Sequence, residues 1–69
     1  MTKTEIEEWL YQEPFEPFRI NTSDGKHFDV VNPRLAVAMD TRVFIALGKN
    51  NWTLIALRQV TSLEGLAAA

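Results

Sequence analysis

The residues best suited to acid–base chemistry are His27, the single histidine of the chain, and Asp29 two positions later. Both belong to a run of alternating apolar and polar residues, so they would share the polar face of one strand. The same pattern places Asn21 and Arg19 beside them on a neighbouring strand. A His–Asp pair of this kind could move protons in general acid–base catalysis. We instead expect a solvated polar surface, and we predict that the protein is not an enzyme and has no catalytic residues.

Other reactive groups are scarce. The chain has no cysteine, and its serines and threonines fall in turns or in strand positions. A metal site needs at least three protein ligands, whereas His27 and Asp29 supply two. Asp24-Gly25-Lys26 marks a turn and does not match a glycine-rich phosphate loop. The sequence therefore predicts no metal site and no cofactor.

Contact with a ligand is a second kind of chemistry, and it centres on Trp52. This tryptophan follows a polar loop that contains Lys49, so it could stack on a base or anchor a protein partner. The simpler expectation is a place in the core or at a subunit interface. If RNA or another ligand binds, the predicted contacts are one aromatic and four basic residues: Arg34, Arg42, Lys49, Trp52 and Arg58.

Composition limits the classes of partner. The 69 residues carry a net charge of −2, with an acidic stretch over residues 1–16 and a mildly basic remainder. Proteins that depend on phosphate contacts are far more basic, so we expect no DNA partner and keep RNA as an alternative. No apolar run approaches the roughly 18 residues of a membrane span, and no signal peptide is recognisable. We expect no membrane partner and a cytoplasmic location.

The clearest structural signal is a hairpin over residues 18–31, where two alternating runs flank Asp24-Gly25. A two-residue turn would set apolar residues opposite polar ones. A three-residue loop over 23–25 keeps one face apolar, with these pairs: Ile20 with Phe28, and Phe18 with Val30. We predict this longer loop, with Gly25 in a left-handed conformation.

A helix over residues 4–13 precedes this hairpin. Thr4 and Glu7 match a capping box, and Pro14 would end the helix. Its apolar stripe has helical spacing: Ile6, Trp9 and Leu10. So short a helix is marginal alone in water, so we expect it to cap one open end of the β structure.

The region after the hairpin is ambiguous. Asn32-Pro33 must bend the chain, because proline cannot donate to a central ladder. Residues 34–39 alternate in size, which favours a strand with its larger side chains on one face: Leu35, Val37 and Met39. Asn32 as N-cap with Pro33 at the first position also fits a short helix over 33–39. A tight turn at Asp40-Thr41 follows.

Strands over residues 42–47 and 52–58 form a second predicted hairpin, with a loop over 48–51. Setting Leu47 opposite Trp52 aligns the apolar residues in pairs: Ile45 with Leu54, and Val43 with Ala56. Both faces of this hairpin are apolar, and so short a chain cannot cover both. We therefore predict a subunit interface on one face: Phe44, Ala46, Ile55 and Leu57.

Two resemblances rest on these motifs. A helix followed by about five short strands, with the corner Met39-Asp40-Thr41 and a closing segment over 58–63, resembles the Sm-like barrel of Sm, Lsm and Hfq proteins. That resemblance implies a ring-like assembly. It implies RNA binding less strongly, because the Tyr-Lys-His signature of Hfq has no counterpart here. The opening Pro-Phe-Glu-Pro-Phe-Arg-Ile, followed by Asp24-Gly25 and Asn32-Pro33, resembles a group of small uncharacterised bacterial proteins.

Together these patterns predict a single domain over residues 1–69. It is mainly β with one N-terminal helix, its strands form a small SH3/Sm-like five-stranded barrel (α-β-β-β-β-β) over residues 18–64, and residues 65–69 form a tail. Small domains without disulfides often gain stability by oligomerising. The predicted function is a non-catalytic, self-assembling module that acts as a protein-interaction or scaffold unit. The alternative is an Sm-like RNA-binding protein.

Overall fold

The computed structural model describes residues 1–66, with one helix and six strands in that part of the chain. These elements are α1 (Lys3–Leu10), β1 (Phe18–Thr22), β2 (His27–Val30), β3 (Ala36–Ala38), β4 (Arg42–Gly48), β5 (Asn51–Ala56) and β6 (Val60–Gly65). The strands form two antiparallel sheets, the first with order β2-β1-β6 and the second with order β3-β4-β5. Within residues 1–66, no helix is long and apolar enough to cross a membrane.

One core joins the helix and both sheets. The most deeply buried side chains come from all three: Ile6, Leu10, Phe18, Ile20, Val30, Val43 and Ile45. Half-buried Trp9 packs on the Phe18 ring with centroids 5.4 Å apart. Because the helix is too short to be stable alone, this docking of its apolar stripe is what holds it in place.

Helix α1 begins and ends earlier than the sequence predicts. The N-cap is Thr2 rather than Thr4: its hydroxyl accepts from the Glu5 amide at 3.2 Å, and the Glu5 carboxylate accepts from the Thr2 amide at 3.2 Å. Both Thr-x-x-Glu frames fit the capping box, and the structure uses the earlier one. The helix ends at Leu10, and the Gln12 side-chain amide donates at 2.7 Å to the Trp9 carbonyl in its last turn.

The first hairpin is confirmed in register and in loop length. Strands β1 and β2 pair as predicted: Phe18 with Val30, Arg19 with Asp29, Ile20 with Phe28 and Asn21 with His27. The Thr22 amide donates to the Lys26 carbonyl at 3.0 Å, which closes a loop over residues 23–25. Gly25 has a φ of +84°, a conformation that costs other residues about 1–2 kcal/mol.

The predicted five-stranded barrel is wrong. In residues 1–66 the strands number six, and they form two open three-stranded sheets with no strand pairing between them. The predicted strand over 34–39 is shortened, because its first residues belong to a 3-10 helix, Pro33–Leu35, whose N-cap Asn32 accepts from the Arg34 amide at 2.9 Å. The segment over 33–39 thus contains both a short helix and a strand, β3. The strands on either side of this helix, β2 and β3, belong to different sheets.

The predicted register of the second hairpin is also wrong, by one residue. Trp52 pairs with Ala46 instead of Leu47, and the register shifts between Ala46 and Gly48. Leu47 is therefore the extra residue of a β-bulge. The turn shrinks to Lys49 and Asn50, with Asn50 at a φ of +64°. Because a one-residue shift exchanges the two faces of a strand, the bulge decides which apolar side chains reach the core.

A corner between the two sheets is formed by a 3-10 helix, Leu57–Gln59. The Leu57 amide donates at 2.9 Å to the carbonyl of Thr41, which lies in the turn between β3 and β4 of the second sheet. The Gln59 carbonyl accepts at 2.8 Å from the amide of Ser23, which lies in the loop between β1 and β2 of the first sheet. The corner is thus hydrogen-bonded to both sheets. Of the predicted tail over 65–69, Gly65 ends β6, Leu66 donates to the Pro17 carbonyl, and residues 67–69 lie outside the described part.

Candidate interaction surface

The outer face of the second sheet is the most unusual surface of the molecule. It carries five apolar side chains, which we call the apolar face: Val37, Phe44, Ala46, Trp52 and Leu54. Trp52 is 59% exposed, Val37 54% and Leu54 41%, while the other two are half-buried. The register places Val37, Phe44 and Leu54 in one row across the three strands. Contiguous exposed apolar surface of this kind marks interaction sites in soluble proteins.

An aromatic pair lies within the apolar face. The rings of Phe44 and Trp52 stack with centroids 5.7 Å apart and an interplanar angle of 27°. Trp52 lies opposite Ala46, whose small side chain leaves room for the diagonal contact with Phe44. Phe44 of the same chain therefore covers one face of the Trp52 indole ring. The pair is held in place before any partner arrives.

The predicted subunit interface is split by the bulge. Phe44 and Ala46 lie on the apolar face as predicted, whereas Ile55 and Leu57 are buried in the core. Val37 and Leu54 lie beside Phe44 on the apolar face instead, and the sequence did not predict either of them there. The alternation of residues 34–39 did identify Val37 and Met39 as sharing one face. It gave no indication that the smaller residues, Ala36 and Ala38, would be the buried ones.

The outer face of the first sheet is polar and internally bonded. The Arg19 guanidinium donates to both carboxylate oxygens of Asp29, at 2.7 and 3.2 Å. This hydrogen-bonded contact lowers the pKa of Asp29 below its ordinary value. The Asn21 amide donates to Ser62 at 3.1 Å and to Glu64 at 3.0 Å. These side chains satisfy one another and water, so this face has the features of a solvated surface.

The candidate acid–base residues lie where the sequence predicts, on the polar face of the first sheet. His27 lies exposed opposite Asn21, and Asp29 is bound to Arg19. No nucleophilic side chain is hydrogen-bonded to His27 in residues 1–66. Over the same residues, no cluster of three or more histidine, aspartate or glutamate side chains could hold a metal ion.

The five predicted ligand contacts do not form one site. Arg42 and Arg58 come together beside an open cavity of about 570 Å³, which Met1 and Asp40 also line. Trp52 lies on the apolar face, Lys49 is in the β4–β5 turn, and Arg34 is in the 3-10 helix before β3. The structure thus brings together two of the four basic residues.

Comparison with protein families, with curated proteins and with solved structures finds no match to this chain. The resemblance to small bacterial proteins that share the Pro-Phe-x-Pro-Phe-Arg-Ile opening therefore stays a prediction.

Proposed function

We propose that the protein is a non-catalytic, self-assembling module that acts as a protein-interaction or scaffold unit, and that its first partner is a second copy of itself. The apolar face is the single observation on which this rests. Trp52, Val37 and Leu54 are each more than two-fifths exposed, which is costly for a sheet that has no cover. We retain a cytoplasmic location as part of the proposal.

The composition of the apolar face suits protein contact. Binding energy at interfaces concentrates in a few large, rigid side chains, with tryptophan prominent among them. The stacked Phe44–Trp52 pair supplies such an anchor, and the flanking residues Val37 and Leu54 could exclude water around it. The five residues of the apolar face carry no charge, and Arg42 borders them on the same side of β4. The centre of the face can therefore lose water without desolvating an ion.

Removing the anchor tests the proposal. Wild-type protein should sediment as an oligomer at micromolar concentration, and Trp52→Ala should raise the dissociation constant about tenfold or more. The variant should keep its fold, since Trp52 is largely exposed. Sedimentation equilibrium measures the association, and circular dichroism measures the fold.

Tyr11 provides a matched control, because it is an aromatic residue, 69% exposed, that lies at the end of α1 and outside the apolar face. Tyr11→Ala should associate as the wild type does. A wild type that stays monomeric throughout the concentration range would rule out self-assembly. Equal losses for Tyr11→Ala and Trp52→Ala would show that the apolar face has no special role.

RNA binding is a second candidate, favoured by one observation: Arg42 and Arg58 line the same cavity. Two arginines beside one cavity could hold a phosphate group. A U-rich oligonucleotide would then bind with an affinity that falls steeply with salt, and Arg42→Glu should abolish the binding. Sedimentation with and without this oligonucleotide distinguishes the two candidates, because self-assembly through the apolar face requires no RNA.

A further inference from the structure

One edge of the second sheet has unpaired main-chain groups at known positions. Arg42 lies opposite Ala56, and the Leu57 amide donates to the Thr41 carbonyl. In an antiparallel ladder this pattern makes Arg42 and Ala56 a non-hydrogen-bonded pair. Alternate residues of β5 therefore bond to β4, and the remaining residues point their N–H and C=O groups away from the sheet. These outward residues are Trp52, Leu54 and Ala56.

The other three edge strands are protected. Strand β2 carries His27 and Asp29, and β6 carries Glu64. Strand β3 has only three residues, begins three positions after Pro33, and lies against α1. Charges, short length and helical cover are the usual means of preventing edge-to-edge association.

Strand β5 has none of these three protective features. Its six residues, Asn51–Ala56, include no charge, no proline and no glycine, and it pairs only with β4. A long, uncharged edge beside an apolar face is a site where another strand would add to the sheet. Two copies of β5 could meet without like-charge repulsion, whereas two copies of β2 or of β6 would bring Asp29 or Glu64 near its own counterpart.

We propose that two copies of the chain pair their β5 edges antiparallel around a two-fold axis at Leu54, joining their second sheets into one six-stranded sheet. This inference rests on the proposed function and specifies where the self-assembly occurs. Centring the axis on Leu54 gives about four main-chain hydrogen bonds with the partner, because Ala56 is the N-cap of the 3-10 helix and its carbonyl is left out of the count. A shift of the register to either side would lose some of them.

Side-chain sizes agree with this register. Leu54 would face Leu54 of the partner subunit across the axis, and Trp52 would face Ala56 of the partner subunit. The small Ala56 side chain leaves room for the Trp52 indole, and side chains directly opposite each other on one face of a sheet are close enough to interact. The apolar faces of the two copies would also become continuous, so the Phe44–Trp52 pair of each would lose exposed area.

Charge reversal at the axis tests the proposal. Leu54→Lys and Leu54→Glu would each place like charges opposite one another, and each should raise the dimer dissociation constant at least about tenfold. An equimolar mixture of the two should form a heterodimer with an affinity near that of the wild type. A two-fold register centred on Leu54 predicts this rescue, because each charged side chain would then lie opposite its complement. Sedimentation equilibrium measures all three samples.

Val37→Glu is the matched control. Val37 lies on the same apolar face but on β3, at the opposite edge of the sheet, and its exposure is similar. Pairing through β5 predicts that this variant weakens the dimer far less than Leu54→Glu does, whereas stacking of two apolar faces predicts losses of equal size. Amide hydrogen exchange on the wild type gives a measurement that depends on no variant: Leu54 should become protected as dimers form, and Ala36 at the β3 edge should not.

The outcomes separate the two proposals. A monomeric wild type would overturn both. An oligomeric wild type would preserve self-assembly but overturn the β5 pairing in any of three cases: no loss for Leu54→Glu, no rescue in the mixture, or an equal loss for Val37→Glu. An oligomer whose Leu54 amide exchanges freely would overturn it as well.

Discussion

The outer faces of the two sheets differ in how their side chains are satisfied. On the first sheet, Arg19 is bound to Asp29, and Asn21 donates to side chains of β6. On the second sheet, the apolar face consists of aliphatic and aromatic side chains whose single polar group is the Trp52 indole N–H, and the Phe44–Trp52 stack lies within it. The polar side chains of the first face already have hydrogen-bond partners. The second leaves apolar area exposed, and it is this face on which we propose that a partner binds.

The largest expected effect tests whether the apolar face is needed for folding. Ile45→Ala should lower the free energy of unfolding by about 2–5 kcal/mol, because it leaves a cavity at a fully buried site. Phe44→Ala, the adjacent residue on the outer face, should cost clearly less in dilute, monomeric protein. Denaturant unfolding measures both. Equal losses would mean that the apolar face belongs to the folding core and is not a contact surface.

A smaller effect concerns the loop that sets the register of the first sheet. Gly25→Ala should destabilise the protein by about 1 kcal/mol, because Gly25 has a φ of +84°. Gly65→Ala is the control, since that glycine has no left-handed φ and open space around its Cα. In thermal unfolding, the Tm of Gly65→Ala should be close to that of the wild type. A neutral Gly25→Ala would contradict the assigned loop geometry.

The smallest expected effect concerns the ion pair on the polar face. The pKa of Asp29 is lowered by Arg19, so the pair stabilises the fold fully above the carboxyl's unfolded pKa of about 3.9 and loses that effect as the pH falls through the lower folded value. Asp29→Asn should therefore have a slightly lower Tm than the wild type near neutral pH. That difference should shrink towards about pH 2.

Asp40→Asn is the control for this titration. The Asp40 side chain is 95% exposed, and its contact with Lys3 is 3.9 Å long. Exposed pairs of that kind contribute little to stability, so this variant should follow the wild type at every pH. A difference between wild type and Asp29→Asn that stays constant with pH would show that the Arg19 contact has no role in stability.

The same contrast explains what the sequence could predict. In the first hairpin, polar and apolar residues alternate cleanly, so one register alone buries Ile20 and Phe28 together, and that register is correct. In the second hairpin both faces are apolar, so alternation cannot choose between registers. The bulge at Leu47 has no signature in residue type, and it reverses the faces of Ile55 and Leu54. The barrel was predicted from the order of one helix and about five short strands, and residue types did not show that a 3-10 helix, Pro33–Leu35, would separate β2 and β3 into different sheets.

The corner at Leu57–Gln59 affects how the polar face of the first sheet would be oriented in any assembly. Because Thr41 and Ser23 both bond to it, the angle between the sheets is fixed by main-chain contacts rather than by packing alone. A neighbour that docks along Trp52 would then set the direction in which Arg19 and His27 face the surrounding solution. In the two-fold dimer, both copies would therefore display their polar faces at the same angle to the joined sheet.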